Sequence, residues 1–267
     1  MKEIHAYSLY SGSRGNAFLL DANGVCILID AGKSAKALCA AIQACGRNPD
    51  DISAIFITHE HSDHINALSV FLKKHPIPVH LPNACAYKLE GDPIVAPHLI
   101  PHAPIHTEEL EGGIRIHSFP TPHDSHGSVG YRIEIPTPNG EYRIGYATDV
   151  GYVTKEIADN LMGCHAVVLE SNHDPDMLRD GPYPYELKLR VASKRGHLSN
   201  PDSANFAARL CECGTKSLML AHLSQENNTP DTAYSEYLGQ LASDRVHICV
   251  AEQDAVVELE LEELTSC

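Results

Sequence analysis

The stretch Ile55-Phe56-Ile57-Thr58-His59-Glu60-His61-Ser62-Asp63-His64 reads as a short apolar strand that runs straight into a cluster of metal-ligand residue types. His59 and His61 alternate, so an extended backbone points both the same way. Asp63 and His64 open the helix that follows. Four nitrogen and oxygen ligands this close cannot comfortably serve one tetrahedral ion, and two adjacent ions divide them more easily. Imidazole suits zinc, iron and nickel; the carboxylate widens the choice to manganese. An exposed polar loop would not gather three histidines and an aspartate within six residues at a strand end.

Outward from this stretch, strands and helices alternate. Ala17 to Leu20 and Val25 to Asp30 form a hairpin around Asn23-Gly24, a favoured turn pair. Ser34 to Cys45 has Leu38, Ala41, Ile42 and Cys45 on one helical face, with Gly46 closing it. The helix after His64 is expected to continue to about Lys74, where Pro76 stops it. Val79 to Leu81, Ile114 to Phe119, Val129 to Ile135, Tyr142 to Ala147, Ala166 to Leu169, Ser217 to Leu220, Val246 to Val250 and Ala255 to Leu261 read as strands. The pair around residue 140 is expected to turn at Asn139-Gly140. Thr154 to Leu161, Pro184 to Ser193, Pro201 to Cys211 and Asp231 to Leu241 read as helices, the third capped by Asn200 with proline just inside. A layered α/β domain follows. Polar ligand types recur just after apolar strands, where a rigid scaffold presents chemistry.

Composition sets the frame. The chain has 267 residues, 43% hydrophobic and 21% charged, which predicts a packed core rather than disorder. No run of about 18 apolar residues occurs, so no membrane span is expected. The start, Met1-Lys2-Glu3-Ile4-His5, lacks the apolar stretch of a signal peptide, and a cytoplasmic protein is the expectation. Lys and Arg number 20 against 35 Asp and Glu, a net charge of −15. That excludes binding long nucleic acid through the whole surface but leaves room for a small cationic site, which bound metal ions would supply. Nine cysteines without any CxxC pair read as free thiols in a reducing compartment. The unusual feature is seventeen histidines and no tryptophan.

The run His59 to His64 resembles the HxHxDH signature of the metallo-β-lactamase-fold hydrolases, position for position, with Glu60 and Ser62 as spacers. The resemblance covers nearly the whole chain. Ser11-Gly12-Ser13-Arg14-Gly15-Asn16, Leu169-Glu170-Ser171-Asn172-His173-Asp174, Gly196-His197-Leu198-Ser199-Asn200 and His222-Leu223-Ser224-Gln225-Glu226-Asn227-Asn228 look like the YycJ/WalJ subfamily. That bacterial group is described as exonucleases or phosphodiesterases. The resemblance implies a single domain over 1–267 with a four-layer αββα sandwich. It implies one ion held by His59, His61 and His123, a second held by Asp63, His64 and His222, and Asp149 bridging them. Two divalent cations carry +4, and only two of these ligands are carboxylates, so the remaining charge would acidify a shared water and attract an anionic substrate. Attack would come from a metal-bound hydroxide, with Asp63 also orienting the water. Zinc is the leading cofactor, with manganese or iron as alternatives.

In the similar tRNase Z enzymes a glutamate and a histidine form a proton relay to the leaving oxygen. Glu170 and His197 lie in segments that resemble those two, and expelling an alkoxide needs a proton. An ordinary structural Glu–His hydrogen bond is the alternative. His126, three residues beyond His123, competes with it as ligand but lies farther from the strand end. His173 is either a neighbour of the site or a turn residue. His5, His75, His80, His98, His102, His106, His117, His165 and His247 read as surface or structural. From Arg179 to His197 the charge is 5 − 2 = +3, from Arg179, Lys188, Arg190, Lys194 and Arg195 against Asp180 and Glu186. The segment either holds a phosphate chain over the ions or is a solvated helix face. Ser199, Asn200, Asn227 and Asn228 offer uncharged donors to phosphate. Gly12 and Gly15 give a tight turn beside the site, and no P-loop is present.

The leading reading is a dinuclear metal-dependent hydrolase of phosphodiesters, a nuclease acting on a strand end, with nucleic acid or a small phosphodiester as substrate. Its rival is a thioester or lactone hydrolase of the glyoxalase II type, which the same seven ligands fit. A di-iron redox module is disfavoured, because the histidine set is intact.

Overall fold

The computed structural model describes residues 4–241 and 246–262. Met1, Lys2, Glu3 and Cys267 lie outside that range. Strands β1 (His5–Tyr10), β2 (Ala17–Ala22) and β3 (Val25–Ile29) are followed by helix α1 (Ala35–Ala44). Strand β4 (Ile52–Phe56) leads into α2 (Ser62–Ile65) and α3 (Leu68–Leu72), and then come β5 (Val79–Pro82) and β6 (Leu99–His102). The second half runs β7 (His106–Glu109), β8 (Arg115–Pro120), β9 (Val129–Thr137), β10 (Gly140–Ala147), α4 (Lys155–Leu161), β11 (Ala166–Glu170), α5 (Pro175–Asp180), α6 (Tyr185–Val191) and α7 (Asn200–Glu212). It ends with β12 (Ser217–Ala221), α8 (Pro230–Gln240), β13 (His247–Val250) and β14 (Val257–Glu258).

Two seven-stranded sheets result, ordered β14-β1-β2-β3-β4-β5-β6 and β13-β12-β11-β10-β9-β8-β7. Alternation along the strands builds four layers. Ile27, Ile29 and Phe56 face Ile133, Ile144 and Val168 between the sheets. Their chain neighbours Leu28 and Ile55 turn outward onto Leu38, Ile42 and Phe71 of the first helical layer. On the far side, Val167 and Leu169 meet Ile157, Phe206, Leu210 and Tyr237. The inner strands β3, β11 and β12 are buried on both faces and so read as continuous apolar runs. The architecture is the αββα sandwich of the metallo-β-lactamase type.

Several local expectations change. The single helix to Lys74 is broken in two. An unbroken helix would pair the Ala67 N–H with the Asp63 carbonyl. Instead the Asn16 N–H takes that carbonyl at 2.7 Å, and the Ala67 N–H donates to Ala31 at 2.8 Å. Gly140 already pairs with Thr137, so the turn between β9 and β10 is Pro138-Asn139. Ser199, not Asn200, caps α7, its hydroxyl accepting the Asp202 N–H. Strands β1, β6 and β7 and helix α5 were not anticipated. Ala255 to Leu261 narrows to the two residues of β14. Among the described residues no helix is long and apolar enough to cross a membrane, and the eight described cysteines are free.

Candidate metal centre

The site lies where strands of both sheets end. Asp30 follows β3; Thr58, His59 and His61 follow β4; His123 follows β8; Asp149, Glu170 and His222 end or follow β10, β11 and β12. Asp30, Asp149 and His222 have φ of 63°, 58° and 57°, a left-handed backbone that non-glycine residues rarely adopt. The chain reverses at these points so that each side chain turns inward, and such strain concentrates at functional sites.

All seven expected ligands converge. The rings of His59, His61 and His123 lie 4.5 to 5.2 Å apart by centroid. Asp63 Oδ2 is 3.4 Å from His64 Nε2 and 3.8 Å from His222 Nε2. Asp149 Oδ1 stands 3.6 Å from both His123 Nε2 and His222 Nε2, and its Oδ2 is 3.4 Å from His64 Nε2. Two groups, His59-His61-His123 and Asp63-His64-His222, have the spacing to hold an ion each. His126 points elsewhere, to Glu60 and Tyr87, and it is His123 that joins His59 and His61.

The histidines are oriented from behind. Nδ1 of His64 is 2.7 Å from Asp30, that of His123 is 3.1 Å from the Gly196 carbonyl, and that of His222 is 3.0 Å from Glu170. His59 Nδ1 meets the Thr58 hydroxyl at 3.1 Å. Held this way, each ring turns Nε2 inward, as ligating histidines do. Nε2 of His59, Nε2 of His222 and Oδ2 of Asp149 are buried without any hydrogen-bond partner. Orphaned buried polar atoms are costly unless something binds them, and divalent cations fit this donor set. Electrostatics agree. Burial opposes a charge on His222, but Asp149, Asp63 and Glu170 outweigh it and push its pKa up to about 10. His64 is likewise raised against burial by Asp30, Asp149 and Asp63. A cation at either place displaces a proton.

The covered and open sides differ. His59, His64, Asp149 and His222 are buried, whereas the side chains of His61, Asp63, Asp124 and His197 remain partly exposed. His197 Nδ1 lies 2.8 Å from Glu170 Oε1 and 3.7 Å from Asp149 Oδ1. Two contributors were missed in the sequence. Asp30 is a lone aspartate after a fully buried strand, and no local pattern in the sequence marks it. Asp124 directly follows His123, and its buried Oδ1 lies 3.2 Å from His123 Nε2 with no hydrogen-bond partner.

The remaining candidates divide. Asn16 sits 3.3 Å from Asp63 Oδ2 and 3.1 Å from His64 Nε2, so the turn at Gly12 and Gly15 does flank the site. Of the basic segment, Arg190 pairs with Asp124, and Arg195 donates to the His123 and Ser125 carbonyls. Arg179 instead pairs with its neighbours Asp176 and Asp180 at the surface. Asn200 and Asn228 are not free donors; they bond to each other, and Asn228 also holds the Ser171 and Asn172 carbonyls. His173 is buried, with its backbone bridged to Ser199, and the cap of α5 is Asp174.

Comparison with known proteins follows the same lines. A family profile described as the β-lactamase superfamily domain matches residues 26–223. Exodeoxyribonuclease YycJ of Bacillus anthracis is 35% identical over 238 residues, which covers 86% of each chain. Exodeoxyribonuclease WalJ of Streptococcus pneumoniae is 34% identical over 239 residues, 88% of this chain and 87% of that one. Among solved structures, the metallo-β-lactamase fold protein YhfI from Bacillus subtilis superposes with a TM-score of 0.73 at 15% identity, covering 97% of this chain and 100% of its own. Zinc-bound PqqB from Methylobacterium extorquens gives 0.69 at 16% identity, covering 95% and 99%. These two likenesses concern the fold.

Proposed function

This chain belongs to the β-lactamase superfamily, and from that membership and the geometry of the site we propose that it is a dinuclear metal-dependent phosphodiesterase, an exonuclease that works from the end of a DNA strand. Both relatives bear the name exodeoxyribonuclease, which supports nucleic acid as the substrate. The observation that carries the reading is His197, seated on Glu170 at 2.8 Å and facing Asp149 at 3.7 Å beside the seven converging ligands. A thioester hydrolase needs the ligands but has less use for a proton donor, because a thiolate departs more easily than an alkoxide.

His59, His61 and His123 would hold one ion, Asp63, His64 and His222 the other, with Asp149 between them. Zinc suits this histidine-rich set best, and the carboxylates also accommodate manganese or iron. When bound, such ions would supply Lewis acidity to the phosphodiester and to the attacking water. Asp63, open on one side, accepts a hydrogen bond from the attacking water and so fixes its direction. His197 acts in its doubly protonated form: its Nδ1–H donates to Glu170 and its Nε2–H gives the proton to the departing oxygen, which leaves a neutral ring. Arg190 and Arg195 stand at the rim, where they offset the −15 charge of the chain and meet backbone phosphates.

The test is a panel of end-labelled DNA and RNA oligonucleotides, nitrophenyl phosphodiesters, thioesters and lactones. Each is assayed with chelator and after addition of Zn²⁺ or Mn²⁺, with Asp63→Ala as the blank. Metal-restored shortening of DNA from one end is expected. Activity confined to thioesters or lactones would overturn the proposal.

A further inference from the structure

A second cluster of ligand types lies away from the catalytic face, at the lateral edge where the chain crosses from one sheet to the other. His80 on β5, His102 at the end of β6 and Glu108 on β7 bring one atom each to a common point. His80 Nδ1 and His102 Nε2 are 2.9 Å apart, and Glu108 Oε2 is 3.8 Å from the first and 3.9 Å from the second. These separations bracket the roughly 3.4 Å edge of a tetrahedron whose bonds are about 2.1 Å long, so a small opening of the ring pair and closure of the carboxylate would seat a zinc ion. A hydrogen bond between the two rings accounts for the 2.9 Å separation alone. It leaves the Glu108 carboxylate, which His106 anchors, beyond hydrogen-bond reach of both rings.

The surroundings are those of a metal site. His106 Nε2 lies 3.0 Å from Glu108 Oε2 and its ring stacks on His102 at 3.8 Å, so the carboxylate and one imidazole are held from behind. On the inner side the His80 ring stacks on Phe56 at 4.5 Å, and His80 is only 4% exposed. A cavity of about 10 Å³ adjoins the cluster, lined also by Ile116, Val129 and Tyr131. It has room for one water, not for a substrate. Two imidazoles, one carboxylate and one water complete a tetrahedral shell.

We infer that His80, His102 and Glu108 form a third metal site, taking zinc or a similar divalent ion, that staples the β5–β6 edge of one sheet to the β7 edge of the other. The site is structural, and its existence does not depend on what the catalytic centre hydrolyses. A crystal of the intact protein grown with zinc, with data collected on both sides of the zinc edge, tests it directly. An anomalous peak within bonding distance of His80, His102 and Glu108 is expected, apart from any at His59 or His222. Its absence overturns the inference, whatever occupies the other centre. In solution, Glu108→Gln and His102→Gln should each lose one equivalent of tightly bound zinc per chain. They should also lower the thermal midpoint in zinc by roughly 5 °C, with hydrolysis retained. Zinc content unchanged in folded Glu108→Gln would equally overturn it, and this half-exposed side chain is the safer substitution if His102→Gln does not fold.

Discussion

Glu170 holds its carboxylate 2.8 Å from Nδ1 of His197 and 3.0 Å from Nδ1 of His222, so one buried anion orients both a buried imidazole and an open one. Its other oxygen accepts the N–H groups of Val150 at 2.7 Å and Leu198 at 3.1 Å. Burial works against ionisation, but His197 and His222 outweigh it and hold Glu170 well below the usual carboxylate range. The arrangement separates two effects that a single mutation often confounds, orienting a ligand and delivering a proton.

His197→Ala should therefore keep both catalytic ions and slow DNA hydrolysis by about 10²–10⁴-fold, the usual worth of a positioned proton donor. A nitrophenyl diester, whose leaving group departs without a proton, should lose less than about 10-fold. Equal losses on the two substrates at unchanged metal content would reduce the Glu170–His197 pair to a structural contact.

Asp30 tests the support behind the second ion. Its Oδ2 lies 2.7 Å from His64 Nδ1, and it also accepts from the Thr58 N–H at 2.8 Å and the Thr58 hydroxyl. Asp30→Ala removes these acceptors and should weaken binding of the more labile ion by about 10–100-fold. Asp30→Asn keeps an acceptor and tolerates the left-handed backbone, so its loss should be smaller. Competition against a chelating dye reads both, and wild-type affinity in Asp30→Ala would show that His64 needs no orienting partner.

Why Asp30 escaped notice while His59 to His64 did not follows from where the information sits. The histidine run carries its chemistry within six residues, and the later ligands each follow an apolar strand, so local pattern reveals both. Asp30, by contrast, gains its role only from Thr58 and His64, which the parallel pairing of β3 and β4 brings beside it. The break between α2 and α3 is equally non-local, because it depends on Asn16 and Ala31 competing for helix hydrogen bonds. Strands β6 and β7, LIPH and HTEE, are short and polar and pair at sheet edges, so no periodicity marks them. Asn200 and Ser199 are both good caps by residue type, and the choice falls on Ser199 because Asn200 is committed to Asn228 and Ser171.

Gly32 is where three backbone segments meet under the site. A Cβ there would stand 1.5 Å from the Asp63 carbonyl oxygen and 2.6 Å from the Asn16 nitrogen. Neither neighbour is a flexible side-chain end, so the Asp63 segment itself must shift. Gly32→Ala should cost about 1–3 kcal/mol or more by overpacking and should displace Asp63, so that metal affinity falls together with the thermal midpoint. A variant with wild-type stability and full metal content would mean that the loop 11–16 does not brace Asp63.

His173 predicts an acid limit to folding that is separable from metal loss. It is 4% exposed and its Nδ1 has no hydrogen-bond partner. Burial, only partly offset by Glu170, pushes its pKa down to about 4 from the ordinary 6.5. Between those values the unfolded chain binds a proton that the folded chain refuses. Stability is therefore full above about pH 6.5 and falls as the pH drops toward 4, by up to roughly 3 kcal/mol from this one group. His64 and His222, raised rather than lowered, are protonated in both states over most of this window and add little slope. The difference in urea midpoint between wild type and His173→Gln, both in chelator, should be constant above about pH 6.5 and shift steadily against wild type as the pH falls toward 4. Parallel curves would mean that the His173 ring takes up its proton in the fold as readily as in water.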